Sequence, residues 1–436
     1  MTSSKTNSKQ IKVDYLARVE GEGALDIRVK NGEITHLELR IFEPPRFFEA
    51  FLRGRGFQEA PDITARICGI CPVAYQMSAV HAMEKALDIT IPPAIRALRR
   101  LLYCAEWIES HALHVYLLHA PDFLGYESAI SMASDSELKP IVERGLRMKK
   151  IGNELLALIG GREVHPISAC VGGFYRAPRK AELLKLKEDL EWGLEAAMDT
   201  VAWTAGLSFP DFAPDYEHVA LRHADEYAVT EGRVVSSRGL DIPMDAFEEH
   251  FIEEHVSHSN ALHARRPDGS SYQVGPLARV NLNQDTLSPM AREALRKSGL
   301  KFPNNNPFLS IVARSLELVH AFEESLRLID AYEEPVPSRV AASPQAGEGR
   351  HITEAPRGML YHRYVLDQAG IIKEAQIIPP TSQNLKRIED DLRSYVPDVI
   401  ELPLEEATWR CEQLIRNYDP CISCATHFLK LSIEQI

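Results

Sequence analysis

The chain has 436 residues, 45% of them apolar and 25% charged, with a formal net charge of −13, the balance of a protein large enough to bury a substantial core. Its acidic excess is dispersed and it has no basic tract, which excludes an electrostatic grip on nucleic acid or anionic lipid. The leader "MTSSKTNSKQIKVDY" lacks an apolar stretch and no run of about 18 apolar residues occurs later, so the expectation is a cytoplasmic chain with neither a cleaved signal nor a membrane span.

In chain order, "RVEGEGALDIRVKNGEITHLELRIF" alternates apolar and polar residues on both sides of Asn31-Gly32. That dipeptide favours a type I′ turn, and a β-hairpin is predicted. From Pro61 the period becomes helical, with helices predicted over 73–88 and, after Pro92-Pro93, over 93–119. Helical patterns follow at 137–160, 179–207 and 307–334, while 215–285 is mixed, with short strand-like runs broken by Gly and Pro. "PVPSRVAASPQAGEGR" reads as an exposed loop and "GMLYHRYVLDQAGIIKEAQIIPP" as a second strand pair. Helices over 381–396 and 403–417 then run into the closing segment. The fold class predicted is α+β and mainly helical, a large helical core with β segments near the amino-terminal, middle and carboxyl-terminal parts. No repeat is visible, and residues 1–436 are read as one unit. Its regions are a β-hairpin part (18–60), a helical part (61–210), a mixed insertion (211–300) and a helical part with the second β region (301–427).

The chain has seven cysteines, too few for a secreted disulfide scaffold. Four form two CxxC pairs, Cys68/Cys71 in "RICGICPVAYQMS" and Cys421/Cys424 in "DPCISCATH". Pro72 suits the first turn of the helix that follows, which puts Cys71 at a helix N-terminus, where the dipole favours a thiolate. The pairs stand about 350 residues apart, whereas local zinc modules join their half-sites within a few tens of residues. If the pairs meet, four soft ligands surround one site. Spacing alone leaves structural zinc, a redox-active metal and unrelated cysteines all open.

The flanking residues narrow this choice. "RICGIC" with "DPCISCATH" resembles the paired signatures of the large, catalytic subunit of nickel–iron hydrogenases. "RVEGEG" at 18–23, "GREVHPISACVGG" at 161–173, "EAPRG" at 354–358 and "PTSQN" at 380–384 are similar to further segments of that family, in family order. Their spelling looks most like the cytoplasmic, cofactor-coupled members, in particular the NAD(P)-linked or sulfhydrogenase type, with the deazaflavin-reducing type as an alternative. Two competing classes are a zinc-tetrathiolate structural protein and the related complex I subunit, which would lack the four cysteines.

The resemblance implies the fold of that large subunit and a hydrogenase activity, the reversible heterolytic cleavage of H2. It implies that Cys68 and Cys421 are terminal nickel ligands and that Cys71 and Cys424 bridge nickel to an iron bearing carbon monoxide and cyanide. Cys421 is then the first proton acceptor and Glu20 the relay; apart from the resemblance, Glu20 reads as a surface residue beside a turn, and Glu22 keeps that reading. Arg357 and Thr381, after Pro380, supply donors to the cyanides, and Asp419 orients Arg357. A Mg²⁺ or Fe²⁺ is implied at Glu49, His427 and the Ile377 carbonyl. Two departures stand out: Tyr75 where many relatives have histidine, and Ser110 beside His111 where many have aspartate. His111 and His114 read as core or interface residues, and Cys104, Cys170 and Cys411 as buried thiols. His165 is read as facing a partner's nearest cluster. "HFIEEH" lacks the spacing of a zinc protease, and the other histidines read as ordinary.

With four cysteines at one site, no ferredoxin-type cysteine run, dinucleotide fingerprint or flavin signature remains to carry electrons away. The resemblance therefore implies a small subunit with iron–sulfur clusters, then diaphorase subunits binding FAD and NAD(P). It also implies nickel-insertion proteins and an endopeptidase that removes 428–436 after His427.

Overall fold

In a computed structural model, the described residues are 8–426. An antiparallel sheet opens the chain, with β1 (Ser8–Val13) on β2 (Gly23–Lys30) and β2 on β3 (Glu33–Ile41). The β2–β3 turn is the predicted one, with Asn31 at φ 53° and Gly32 at φ 84°, the left-handed pair a type I′ turn requires. The sequence reading missed β1, because only Ile11 of its six residues is buried and a one-residue signal has no period.

Two short helices, α1 (Phe48–Leu52) and α2 (Ala60–Ala65), lead to α3 (Pro72–Ala86), which is buried on nearly all sides. Next comes α4 (Pro93–Ala112), started by Pro92 and Pro93. Where one helix was predicted to 119, residues Leu113–His119 widen into a π-helix before α5 (Ala120–Leu124). Pro121 has no N–H to give back to the preceding turn, and from a distant part of the chain the Arg18 guanidinium donates to the Leu118 carbonyl at 2.8 Å.

A short α6 (Ala129–Ala133) and the long α7 (Lys139–Gly160) follow, then a two-residue strand pair, β4 (Ala169–Cys170) and β5 (Gly173–Phe174). The predicted 179–207 helix is split into α8 (Lys180–Leu183), a 3-10 turn and α9 (Lys187–Ala205). The mixed segment contains β6 (Val219–Arg222), β7 (Arg233–Ser236) and β8 (Asp241–Ile242) as one sheet. It continues with α10 (Phe247–His250) and the pair β9 (Ile252–Glu254) and β10 (His263–Arg265), then α11 (Pro276–Asn283) and α12 (Pro289–Ser298).

The long buried α13 (Ser310–Asp330) precedes a three-stranded sheet of β11 (Gly347–Ala355), β12 (Gly358–Leu366) and β13 (Ile372–Ile378). A strand pair was predicted here; β11 was hidden because it begins inside the Gly- and charge-rich run read as a loop. Those glycines have a packing role, since a Cβ on Gly349 would lie 1.9 Å from the Ala82 carbonyl oxygen of α3. The strand therefore lies directly on the helix backbone. Closing the chain are α14 (Pro380–Val399), α15 (Leu404–Arg416) and the single turn α16 (Ile422–Ala425).

One apolar core gathers α3, α4, α7, α9 and α13 and includes all four CxxC cysteines. A second joins the amino-terminal sheet to α14 and α15, and a third lies under β6–β8 and β12. Among the described residues no helix is long and apolar enough to cross a membrane. The predicted α+β, mainly helical class is borne out.

Candidate metal centre

Both cysteine pairs sit at helix beginnings. Cys71 caps α3, with Pro72 behind it, and Cys421 precedes α16. The first residues of α14, Pro380 and Thr381, also point here, since the Thr381 hydroxyl accepts the Cys421 N–H at 3.1 Å. The N-terminal ends of α3 and α14 thus direct positive dipole ends toward the sulfurs.

The chain ends meet along the motif at 18–23. Glu20 forms a parallel bridge with Cys421, and Ile422 N–H donates to the Glu20 carbonyl at 2.8 Å. Gly21, at φ 90°, makes this approach possible: a Cβ there would lie 2.7 Å from the Ile422 Cβ. Arg46 ties the two pairs together, donating to the Ile67 carbonyl at 2.6 Å and to the Ser423 carbonyl. Its own N–H reaches the Thr426 carbonyl at 2.6 Å.

The result is four buried thiols whose sulfurs all lie within 4.8 Å of one another. Cys68 and Cys421 Sγ are 3.6 Å apart, Cys68 and Cys71 2.9 Å, and Cys421 and Cys424 2.6 Å. Burial alone would raise Cys68, but hydrogen bonds from Cys421, Cys424 and Cys71, with the Arg357 charge, hold it well below the usual thiol range. Burial raises Cys421 and Cys424.

Glu20 Oε2 lies 3.0 Å from Cys421 Sγ and accepts the Ser423 N–H at 3.1 Å, on the half-buried edge of the cluster. Glu22 is exposed. Arg357 is fully buried and donates from Nε to the Asp419 carbonyl at 2.8 Å and from Nη2 to Asp419 Oδ1 at 3.2 Å. Its Nη1 is buried without a partner. An unspent donor beside four thiols fits a nickel–iron site whose iron ligands accept hydrogen bonds. Asp419 sits at φ 51°, a backbone state that aspartate tolerates better than most residues.

Tyr75 lies buried beside the cluster, and its phenol is raised well above its usual range by burial and then by the Cys424 charge. It therefore remains a protonated donor. Ser110 Oγ has no hydrogen-bond partner, and among the described residues the hydrogen bonds of the Arg357 guanidinium go to Asp419. Glu49 Oε1 accepts the Ile377 N–H at 2.8 Å, which brings those two residues together through the amide. His427 and the 428–436 tail lie outside the described residues.

His111 Nε2 is 2.8 Å from Glu317 Oε2, and His114 Nε2 is 2.8 Å from the Arg416 carbonyl, both deep in the core. Cys104 and Cys411 are buried, and burial pushes each up to about 12. His165 is half-buried at φ 52°, between the exposed Val164 and Ile167.

The sequence reading missed two supports, Arg46 and Glu106. Glu106 of α4 accepts the Val73 N–H at 2.6 Å and the Ala74 N–H at 3.1 Å, capping α3 just behind Cys71. A lone carboxylate inside the otherwise apolar "LLYCAEWI" was its only signal.

The family described as "Nickel-dependent hydrogenase" matches residues 46–141 and 247–427. Sulfhydrogenase 1 subunit alpha of Pyrococcus furiosus is 34% identical over 97% of this chain and 98% of its own length. NAD-reducing hydrogenase HoxS subunit beta of Cupriavidus necator is 27% identical over 97% of this chain and 95% of its own length. Among solved structures, an NAD+-reducing nickel–iron hydrogenase in the H2-reduced state superposes with a TM-score of 0.85 at 26% identity, covering 96% of this chain and 99% of that one. The Ni-Fe-Se hydrogenase from D. vulgaris Hildenborough superposes at 0.73 with 25% identity, covering 97% and 100%.

Proposed function

The chain belongs to the nickel-dependent hydrogenase family, and from that premise we propose that it is the catalytic subunit of a cytoplasmic nickel–iron hydrogenase interconverting H2 with protons and electrons. The observation that carries this reading is the cluster of Cys68, Cys71, Cys421 and Cys424, buried together with a carboxylate 3.0 Å from one sulfur. When bound, nickel and an iron bearing carbon monoxide and cyanide supply the Lewis acidity and redox capacity that H2 cleavage needs.

On this reading Cys68 and Cys421 would hold nickel, and Cys71 and Cys424 would serve nickel and iron. Cys421 Sγ receives the proton, and Glu20 Oε2 takes it onward toward the half-buried edge. Ser423 N–H keeps the carboxylate in that pose. Arg357 Nη1 has no partner and would donate to a cyanide on the iron, while Asp419 holds the guanidinium plane. Pro380 and Thr381 fix the backbone of Cys421. Glu49, Ile377 and His427 would hold Mg²⁺ or Fe²⁺, a hard ion suited to oxygen ligands.

Each H2 releases two electrons, and the sequence has no motif for carrying them. The partners proposed are therefore an iron–sulfur small subunit and, beyond it, FAD- and NAD(P)-binding diaphorase subunits, with nickel-insertion proteins and an endopeptidase removing 428–436. The chain acts as one unit, from which that tail is cut. The test is metal analysis and infrared spectroscopy of the purified complex with H2-dependent NADP+ reduction. About one nickel per chain with carbonyl and cyanide bands supports the reading, and zinc alone without those bands overturns it.

A further inference from the structure

Away from the four thiols, one other group of metal-ligating side chains converges among the described residues: His258, His263 and Glu389, with ligand atoms within 4.8 Å of one another. They come from three different places. His258 lies in the loop between β9 and β10, His263 on β10 and Glu389 on α14. The loop is held in place independently, since Asn260 N–H donates to the Ile41 carbonyl at 2.8 Å and its side chain to the Glu43 carbonyl at 3.2 Å.

His258 Nε2 is 2.8 Å from Glu389 Oε1, which also accepts the Leu39 N–H of β3 at 2.9 Å. The two imidazoles meet edge to face at 5.7 Å between centroids. His263 is 98% buried, and its Nε2 has no hydrogen-bond partner. An imidazole nitrogen buried without a partner is costly, and a cation shared with the neighbouring ligands would satisfy it. His258 is partly exposed, which leaves a way in from solvent.

We propose that His258, His263 and Glu389 form a second metal site, distinct from the thiolate centre, that takes a divalent transition ion of the zinc type. Two imidazoles and one carboxylate are a borderline donor set, suited to Zn²⁺ and poorly suited to Mg²⁺ or Ca²⁺. Bonds of about 2.0–2.1 Å put tetrahedral ligands roughly 3.3 Å apart, so the 2.8 Å His258–Glu389 contact widens slightly and His263 closes in. The bound ion would pin the β9–β10 segment to β3 and α14. Glu389 stands about 12 Å along α14 from Thr381 at 1.5 Å per residue, so the clamp steadies the helix whose first turn holds Cys421.

The probe is Zn²⁺ added to nickel-loaded, chelator-washed holoenzyme, in which the thiols are already occupied. One additional zinc per chain, a thermal midpoint raised by a few degrees and an anomalous-scattering peak between the three side chains are expected. His258→Gln and Glu389→Gln each weaken zinc uptake tenfold or more and leave nickel content unchanged. His258 is partly exposed, so that variant folds even if a change at His263 does not. No additional zinc in the wild-type holoenzyme, or uptake that survives the double variant, overturns the proposal.

Discussion

Glu20 and Cys421 show what one contact decides. A carboxylate 3.0 Å from a thiol can take its proton, and Glu20 has no other side-chain duty besides accepting the Ser423 N–H. Glu20→Gln keeps that acceptor and removes the base, so H2 turnover is expected to fall by about 10²–10⁴ with nickel content unchanged, measured by H2 uptake beside metal analysis. Arg357→Lys removes the fork that spans the Asp419 carbonyl and carboxylate, and should lower activity even though the charge is kept. Glu109, on α4 near the same arginine, is raised to about 7 by burial against the pull of Lys149. Its folded pKa lies above its unfolded one, so its contribution is fully present below about 4.5 and is lost as pH rises through about 7. Glu109→Gln should therefore flatten the fall of the thermal midpoint between pH 5 and 8, read by differential scanning fluorimetry.

At the scale of elements, the helices and hairpins that announce themselves locally were legible. Proline starts for α3 and α4, the Asn31-Gly32 turn and the period of α13 all agree with the structure. What stayed hidden was set by neighbours. At the π-turn of 113–119 the Leu118 carbonyl accepts from Arg18, a hundred residues away. Likewise β11 is a strand because α3 offers it a surface, and its glycines serve that contact. Gly349→Ala would drive a Cβ into the Ala82 carbonyl, and is expected to lower the thermal midpoint by several degrees or abolish folding. The cap of α3 is also non-local: Glu106→Ala leaves the Val73 and Ala74 N–H groups buried and unpaired, a loss of about 1–3 kcal/mol each. Lower nickel occupancy after expression, against an unchanged Glu106→Gln control for size, is the corresponding measurement.

Across the whole molecule, the site is a junction between distant parts of one chain. Arg46 bonds backbone carbonyls in both cysteine segments, at Ile67 and Ser423. Arg46→Ala should reduce nickel incorporation and increase hydrogen exchange at 421–426 more than at α13. Removing nickel should likewise lower the thermal midpoint, because an ion bound only by the folded state adds its binding free energy to stability. By itself the sequence supplied four soft-ligand cysteines in two CxxC pairs and the helical class, and its resemblance to the family supplied the carboxylate and arginine expected beside them. A CxxC pair and its flanking motif are local in sequence, so they are legible without coordinates, whereas the meeting of two pairs about 350 residues apart is not. Only the tertiary structure decided which groups stand around those residues, Arg46 and Glu106 at the thiols, and brought His258, His263 and Glu389 together beyond them. Those partners are joined by packing across tens to hundreds of residues, a proximity that no local pattern encodes.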